Sequence, residues 1–218
     1  EPFDPELSAM RQKNKGDAGF GLTLPRCGTK RGAKENPMYP VIRLAKEFIK
    51  YRKAPALTLG DIHVSHHMCL PWDIDLWMEL NNGRTLTLYD LGRLILAKRS
   101  GLLAAIKRHS WGLTMAGAVV RYRQRIRMFE VVEMRSRALC WDARFIYLEQ
   151  SMWKRDGTCA GHVCYRAAIV GPSGIVPPMQ VAAAMGVMDA LPIPDWIAAW
   201  IESERLRPWP PMQDAANK

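Results

Sequence analysis

A chain of 218 residues holds one ordinary domain with extensions, or at most two small ones. Hydrophobic residues at 48% and charged residues at 24% exclude a chain too polar to bury a core. The formal net charge of +10 favours anionic partners, namely phosphate-bearing small molecules, nucleic acid or an acidic membrane surface, without choosing among them. Five cysteines, Cys27, Cys69, Cys140, Cys159 and Cys164, are odd in number and lack CxxC spacing, which suits free thiols in a reducing, cytoplasmic setting. The opening "EPFDPELSAM" has neither the basic start nor the apolar run of a secretory signal.

Residues 1–37 are rich in Gly, Lys and Pro without periodicity and read as a flexible tail. Their "GDAGFG" has neither a preceding strand nor a following Gly-Lys-Ser/Thr to make a phosphate loop. Met38 would be a sensible start for the folded part. Residues 38–56 contain "MYPVIRLAKEFIKYRK", a basic amphipathic helix with Val41, Leu44, Ala45 and Phe48 at helical spacing. It either packs on its own domain, the favoured reading, or makes peripheral contact with anionic lipid through residues 38–53.

From Leu57 to Leu70 the chain alternates as a strand: Ile62, Val64, His66 and Met68 face one way, Asp61, His63, Ser65 and His67 the other. Its "HVSHH" is not read as a metal site, because His63 and His67 stand roughly 13 Å apart on an extended chain and His66 faces away. A helix begins near Gly83, with Leu88, Leu91 and Ile95 as its apolar stripe, Lys98 and Arg99 in its last turn and Gly101 beyond. "LLAAIKRH" follows as a second helical piece.

After Trp111 the pattern is β. "AVVRYRQRIRM" places Arg121, Arg123, Arg125 and Arg127 on one face, with Glu130, Glu133 and Glu149 as candidate partners. The stripe is read first as a solvated outer face and second as a phosphate-binding track. "VVEMRSRALCW", "RFIYLEQSMW" and "GTCAGHVCYRAAIV" supply three more strands, broken by "WDAR" and "KRDGT". The uncharged stretch from Ala167 to Met188 contains Pro172, Pro177, Pro178, Gly171 and Gly174, so it reads as a strand end, a loop and a short helix, not as a membrane span. Helices from Pro177-Pro178 and from Pro194-Asp195 close the chain, the second carrying Trp196, Ile197, Trp200 and Ile201 on one face. The order implies an α+β fold: one antiparallel sheet with a long helix across it.

"LPWDIDLWMELNNGRTLTLYDLGR", Leu70 to Arg93, sets two acids and an Asn-Asn-Gly ahead of the long helix. Asp73-Ile74-Asp75, Asn81-Asn82-Gly83-Arg84 and the helix entered by "TLTLYDLGR", in this order and before an antiparallel meander, resemble the hotdog-fold acyl-CoA thioesterases. The 4-hydroxybenzoyl-CoA thioesterase-like branch is the most similar. The resemblance covers about Leu57 to Val170. It implies an antiparallel sheet wrapped around a central helix in residues 57–172, with 173–218 as a helical extension. It implies hydrolysis of an acyl-CoA thioester to free acid and CoA, with coenzyme A as part of the substrate and no cofactor or metal.

The resemblance makes Asp75 the nucleophile or general base, with Trp72, Leu76 and Trp77 desolvating it. Amides at the helix start, near Asn82 and Gly83, would stabilise the oxyanion, with Asn81 beside them as substrate contact or N-cap. Where relatives carry Asn and His after the second acid, this chain has Trp77 and Glu79. Trp77 suggests an apolar wall, and Glu79 is the second candidate for the acid or base. Asp90 falls where relatives often place an acid, although pairing with Arg93 is the favoured reading. Asp73 is expected to cap the turn. Arg84, close to the helix start, is the expected CoA contact. The resemblance also implies a homodimer or dimer of dimers, with the site between subunits and the partner's strand around Trp111 to Val120 as a second wall. Two alternatives stand beside the enzyme: a non-catalytic hotdog protein that binds acyl-CoA or lipid, and a basic nucleic-acid-binding domain, which lacks any recognisable motif.

Overall fold

A computed structural model describes residues 40–58, 60–187 and 190–212. The expected tail, residues 1–37, lies outside them. The elements run α1 (Val41–Lys50), β1 (His63–Met68), a 3-10 turn (Pro71–Asp73), α2 (Asn82–Arg99), α3 (Leu102–His109), β2 (Gly112–Tyr122), β3 (Val131–Trp141), β4 (Ile146–Trp153), β5 (Cys159–Gly171), β6 (Gly174–Val176), α4 (Pro178–Ala184) and α5 (Asp195–Leu206). All strands are antiparallel in the order β1-β3-β4-β5-β2, with the short β6 added to β5. This is the α+β hotdog arrangement, a sheet with a long helix across one face.

The helix is held because its apolar side has nowhere else to go. Leu88, Tyr89 and Leu91 are buried in one cluster with Met134, Met152 and Val163 of the sheet, and Ile95 is fully buried as well. Each fully buried side chain of this size contributes about 1.5–3 kcal/mol. Gly92 sets the closeness of approach: a Cβ there would lie 2.6 Å from Ser136 Oγ and 2.7 Å from Met134 Sδ. At the helix start Asn81 Oδ1 accepts from the N–H groups of Gly83 (2.9 Å) and Arg84 (3.2 Å), the geometry of an N-cap. At its end Lys98 Nζ donates to Phe48 O, tying α2 to α1.

The strands carry the turns that the sequence indicates. Asp156 Oδ1 accepts from Thr158 N–H between β4 and β5, where Gly157 has φ 84°. On the opposite face of the sheet α5 places Ile197 in a second cluster with Cys140, Tyr147, Cys164 and Ala168, and Trp200 meets Tyr147 edge-on at 5.6 Å.

Three expectations are corrected. First, α1 does not pack Val41 and Ala45. Leu44 and Phe48 face inward, while Val41, Ile42, Ala45 and Ile49 are exposed. Arg43 and Glu47 take inward positions because Arg43 reaches across to Asp73 (2.7 Å) and to Met68 O (2.7 Å). Glu47 is buried, and desolvation raises its pKa. Second, the arginine stripe is not one strand. β2 ends at Tyr122. Arg123 and Gln124 both donate their N–H groups to Ala160 O, and the chain then leaves the sheet so that Ile126 is buried and its carbonyl accepts from Leu80 N–H (2.8 Å). Third, Glu130, Glu133 and Glu149 do not pair the side chains of that stripe. Glu133 holds Arg135 (2.7 Å), Glu149 holds Arg137 (2.7 Å) and Glu130 holds Lys154 (3.2 Å), all nearer in the sheet.

On β1 the polar residues, not the apolar ones, face inward. His63, Ser65 and His67 are buried, and Val64, His66 and Met68 are half-exposed or exposed. His63 Nδ1 lies 3.0 Å from Arg99, and His67 Nε2 lies 2.9 Å from Ser65 Oγ.

Candidate active site

The segment between β1 and α2 builds the site, and its two acids have different tasks. The Asp73 side chain is fully buried. Its Oδ2 accepts from Arg43 (2.7 Å) and from Leu70 N–H (3.0 Å), its Oδ1 from Arg84 (2.8 Å), and its carbonyl from Asn81 N–H (2.9 Å). The expected cap of the 3-10 turn is therefore also a clamp that joins α1, the turn and the start of α2. Arg84, expected to contact CoA, donates to Asp73 Oδ1 through both Nε (3.1 Å) and an NH group (2.8 Å). Its guanidinium neutralises a buried carboxylate, so it is not directed to solvent phosphate.

Asp75 closes the next turn. Its N–H donates to Glu79 O (2.9 Å), its carbonyl accepts from Met78 N–H, and its Oδ1 accepts from Trp77 N–H (2.8 Å). Its Oδ2 has no protein partner among the described residues. Met78 adopts φ 57° at the tip of this turn, a left-handed conformation that swings Leu76 and Trp77 outward. Leu76 is 95% exposed, Trp77 77% and Trp72 63%. The expected desolvation of Asp75 by these three residues is thus not supplied among the described residues. Met78 is exposed as well, and so is Phe129, whose N–H donates to Cys69 O at the start of this segment.

Glu79 carries an ion pair with Arg125 (2.9 Å) that the sequence did not signal, since the two are remote along the chain. Together with Asn82, Thr85, Tyr122 and Gln124 they line a cleft of about 210 Å³ at the N-terminal end of α2. Asn82 is thus in the cleft as expected. Gly83 is not an open donor, because Asn81 takes its N–H, and Thr85 N–H donates to Asn81 O. Asn82 N–H is the first-turn amide without a protein acceptor among the described residues. Asp90 pairs with Arg93 one turn along the helix, and Arg93 lies over the Tyr165 ring at 4.2 Å. Asp90 belongs to that network and does not line the cleft.

With this geometry, the family follows from comparison. A model of the thioesterase-like superfamily matches residues 69–201, more than half of the chain. The chain belongs to the thioesterase-like superfamily. Protein THEM6 of Xenopus laevis is 37% identical over 110 residues, covering 50% of this chain and 53% of the relative. The chain thus spans about half the length of the curated relatives it matches. The YbaW probable thioesterase of Escherichia coli shares the fold with a TM-score of 0.53 at 11% identity, over 56% of this chain and 95% of its own. The DHNA-CoA thioesterase of Staphylococcus aureus does so with a TM-score of 0.50 at 13% identity, over 66% and 92%. No helix among the described residues is long and apolar enough to cross a membrane.

Proposed function

We propose that the chain hydrolyses an acyl-CoA thioester to the free acid and coenzyme A, with Asp75 as the reacting carboxylate. The observation that carries this reading is the division of labour between the two acids. Asp73 is buried between two arginines, whereas one oxygen of Asp75 has no partner among the described residues, on a turn that leads directly into the start of α2.

Asp75 Oδ2 either attacks the thioester carbonyl, giving a mixed anhydride that water then cleaves, or takes a proton from a water that attacks. In both routes the C–S bond breaks and the departing thiolate acquires a proton. The Asn82 N–H, at the positive end of the helix dipole, receives the oxyanion. Glu79, paired with Arg125, lines the cleft and is the second carboxylate within reach of the same turn.

The exposed Trp72, Leu76 and Trp77 support a site completed by a second copy of the chain. β2 ends the sheet, so its outer edge is available for pairing with a partner's β2. Such a homodimer would cover the apolar turn and desolvate Asp75.

The test is CoA release, read chromatographically, from acyl-CoAs of graded chain length and from an aromatic acyl-CoA. Turnover that depends on chain length is expected. No release from any acyl-CoA would remove the enzyme reading and leave acyl-CoA binding in its place.

A further inference from the structure

The outer face of the sheet is only half covered by α5. Its open half is a groove of about 800 Å³, within the size range of small-molecule sites. Strand register defines its floor. Arg121 pairs with His162, His162 with Ser151, and Ser151 with Arg135, so these four side chains form one row across β2, β5, β4 and β3. The row is about 14 Å long, three strand spacings. Arg137, Glu149, Cys164 and Val119 form the parallel row beside it.

Charge in the groove is unbalanced in a particular place. Glu149 is engaged by Arg137 and by His162 (2.9 Å), and these contacts lower its pKa. Arg135 is engaged by Glu133 and lies over the Trp153 ring at 4.6 Å. Arg121 and Arg123 have no ion-pair partner among the described residues, although they lie two residues apart at the end of β2. Two neighbouring unpaired guanidiniums repel each other and form a site for a multiply charged anion.

Flat apolar surface stands opposite them. Trp196 of α5 walls the groove, 45% exposed, with its ring centroid 6.0 Å from that of His162. The groove adjoins the cleft at the start of α2, with Arg123 and Gly161 lining both. A ligand can therefore have one end at Asn82 and Glu79 and the other among the arginines.

We propose that this groove holds the phosphorylated adenosine end of the coenzyme A carrier. Arg121 and Arg123 bind its phosphates and Trp196 stacks on the adenine. The inference rests on the thioesterase reading for its choice of ligand. It assigns coenzyme A, and not a carrier protein, as the thiol carrier, and it gives the arginines beyond the cleft a function in recognition.

The test compares an acyl-CoA with the same acyl group on pantetheine, which lacks the nucleotide, and measures binding of adenosine 3′,5′-bisphosphate by calorimetry. In the parent protein KM for acyl-pantetheine is expected to exceed that for acyl-CoA by about tenfold or more, the loss of charge-assisted contacts. Arg121→Ala should collapse that ratio toward one through a rise in KM for acyl-CoA, at constant kcat, and should weaken bisphosphate binding. Trp196→Ala should weaken it too while Arg121 is intact. Equal KM values in the parent together with no bisphosphate binding would overturn the groove assignment and leave the thioesterase reading in place. Bisphosphate binding that needs Arg121, in a protein that cleaves no thioester, would overturn the thioesterase reading and keep the groove.

Discussion

Asp73 and Asp75 are separated by one isoleucine, yet Asp73 is sealed between Arg43 and Arg84 while one carboxylate oxygen of Asp75 has no partner among the described residues. The turn Asp75–Glu79 follows directly, closed by the Ile74–Leu80 bridge, and Asp75 uses its Oδ1 within it to accept from Trp77 N–H. In the proposed mechanism stability and chemistry therefore fall to different residues.

Replacing Asp73 by Asn leaves two arginines around a neutral buried group. Removing one partner of a buried ion pair costs about 3–5 kcal/mol. Asp73→Asn should therefore lower the denaturant midpoint strongly, and Asp75→Asn should leave it near the parent value, since an amide oxygen can still accept from Trp77 N–H. Equal midpoints for Asp73→Asn and parent would mean that the clamp is not structural.

Gly92 poses two opposed effects. Alanine in a helix interior gains about 1 kcal/mol over glycine, but its Cβ would enter the space of Ser136 Oγ and Met134 Sδ. Overpacking of this kind costs about 1–3 kcal/mol. Gly92→Ala should lower Tm, and a rise would show that the helix can move off β3 at little cost.

Two buried histidines give the fold an acid-side dependence. Burial, with Arg99 and Lys50 nearby, lowers the His63 pKa to about 4, and burial with Arg43 nearby lowers that of His67 to about 3. In the unfolded chain both titrate near the ordinary value of about 6.5. Above that value both states are neutral and the stability is fully present. As pH falls below it, the unfolded chain binds protons that the folded chain does not, so stability falls until the folded pKa values are reached. Unfolding free energy measured from pH 7 to pH 5 should decline. A His63→Gln, His67→Gln protein should decline less steeply over the same interval, and an equal slope would exclude these histidines as its source.

Covering of the apolar turn by a second copy predicts a dimer by sedimentation. A charge placed at Leu76 or Trp77, as in Leu76→Asp or Trp77→Asp, should shift it toward monomer and lower acyl-CoA turnover together. Monomeric protein with full turnover would show that Asp75 needs no partner.

Much of the fold was legible because the signals were local. Alternation and an Asp-Gly turn placed β3, β4 and β5, and the Leu88, Leu91 and Ile95 stripe placed α2. Where the reading failed, the deciding contact was distant. The orientation of α1 depends on Arg43 reaching Asp73, and its two apolar faces satisfy helical spacing equally well. Alternation continues through Arg125 and Arg127 after β2 has ended, because side-chain type alone does not report whether the backbone is paired. In the site, Asn81 was readable as a cap. The consequence, that Gly83 N–H is consumed and Asn82 N–H is left, depends on where the Asn81 side chain turns in three dimensions. The Glu79–Arg125 pair and the meeting of the cleft with the arginine groove likewise depend on the three-dimensional arrangement.

The most direct test of the central claim is kcat for one acyl-CoA substrate in Asp75→Asn beside Glu79→Gln, both checked for parent-like unfolding. Loss of a positioned base or nucleophile costs about 10²–10⁴-fold. Asp75→Asn is predicted to lose that much and Glu79→Gln markedly less. Full turnover by Asp75→Asn, or the larger loss in Glu79→Gln, would contradict the assignment of Asp75 as the reacting carboxylate.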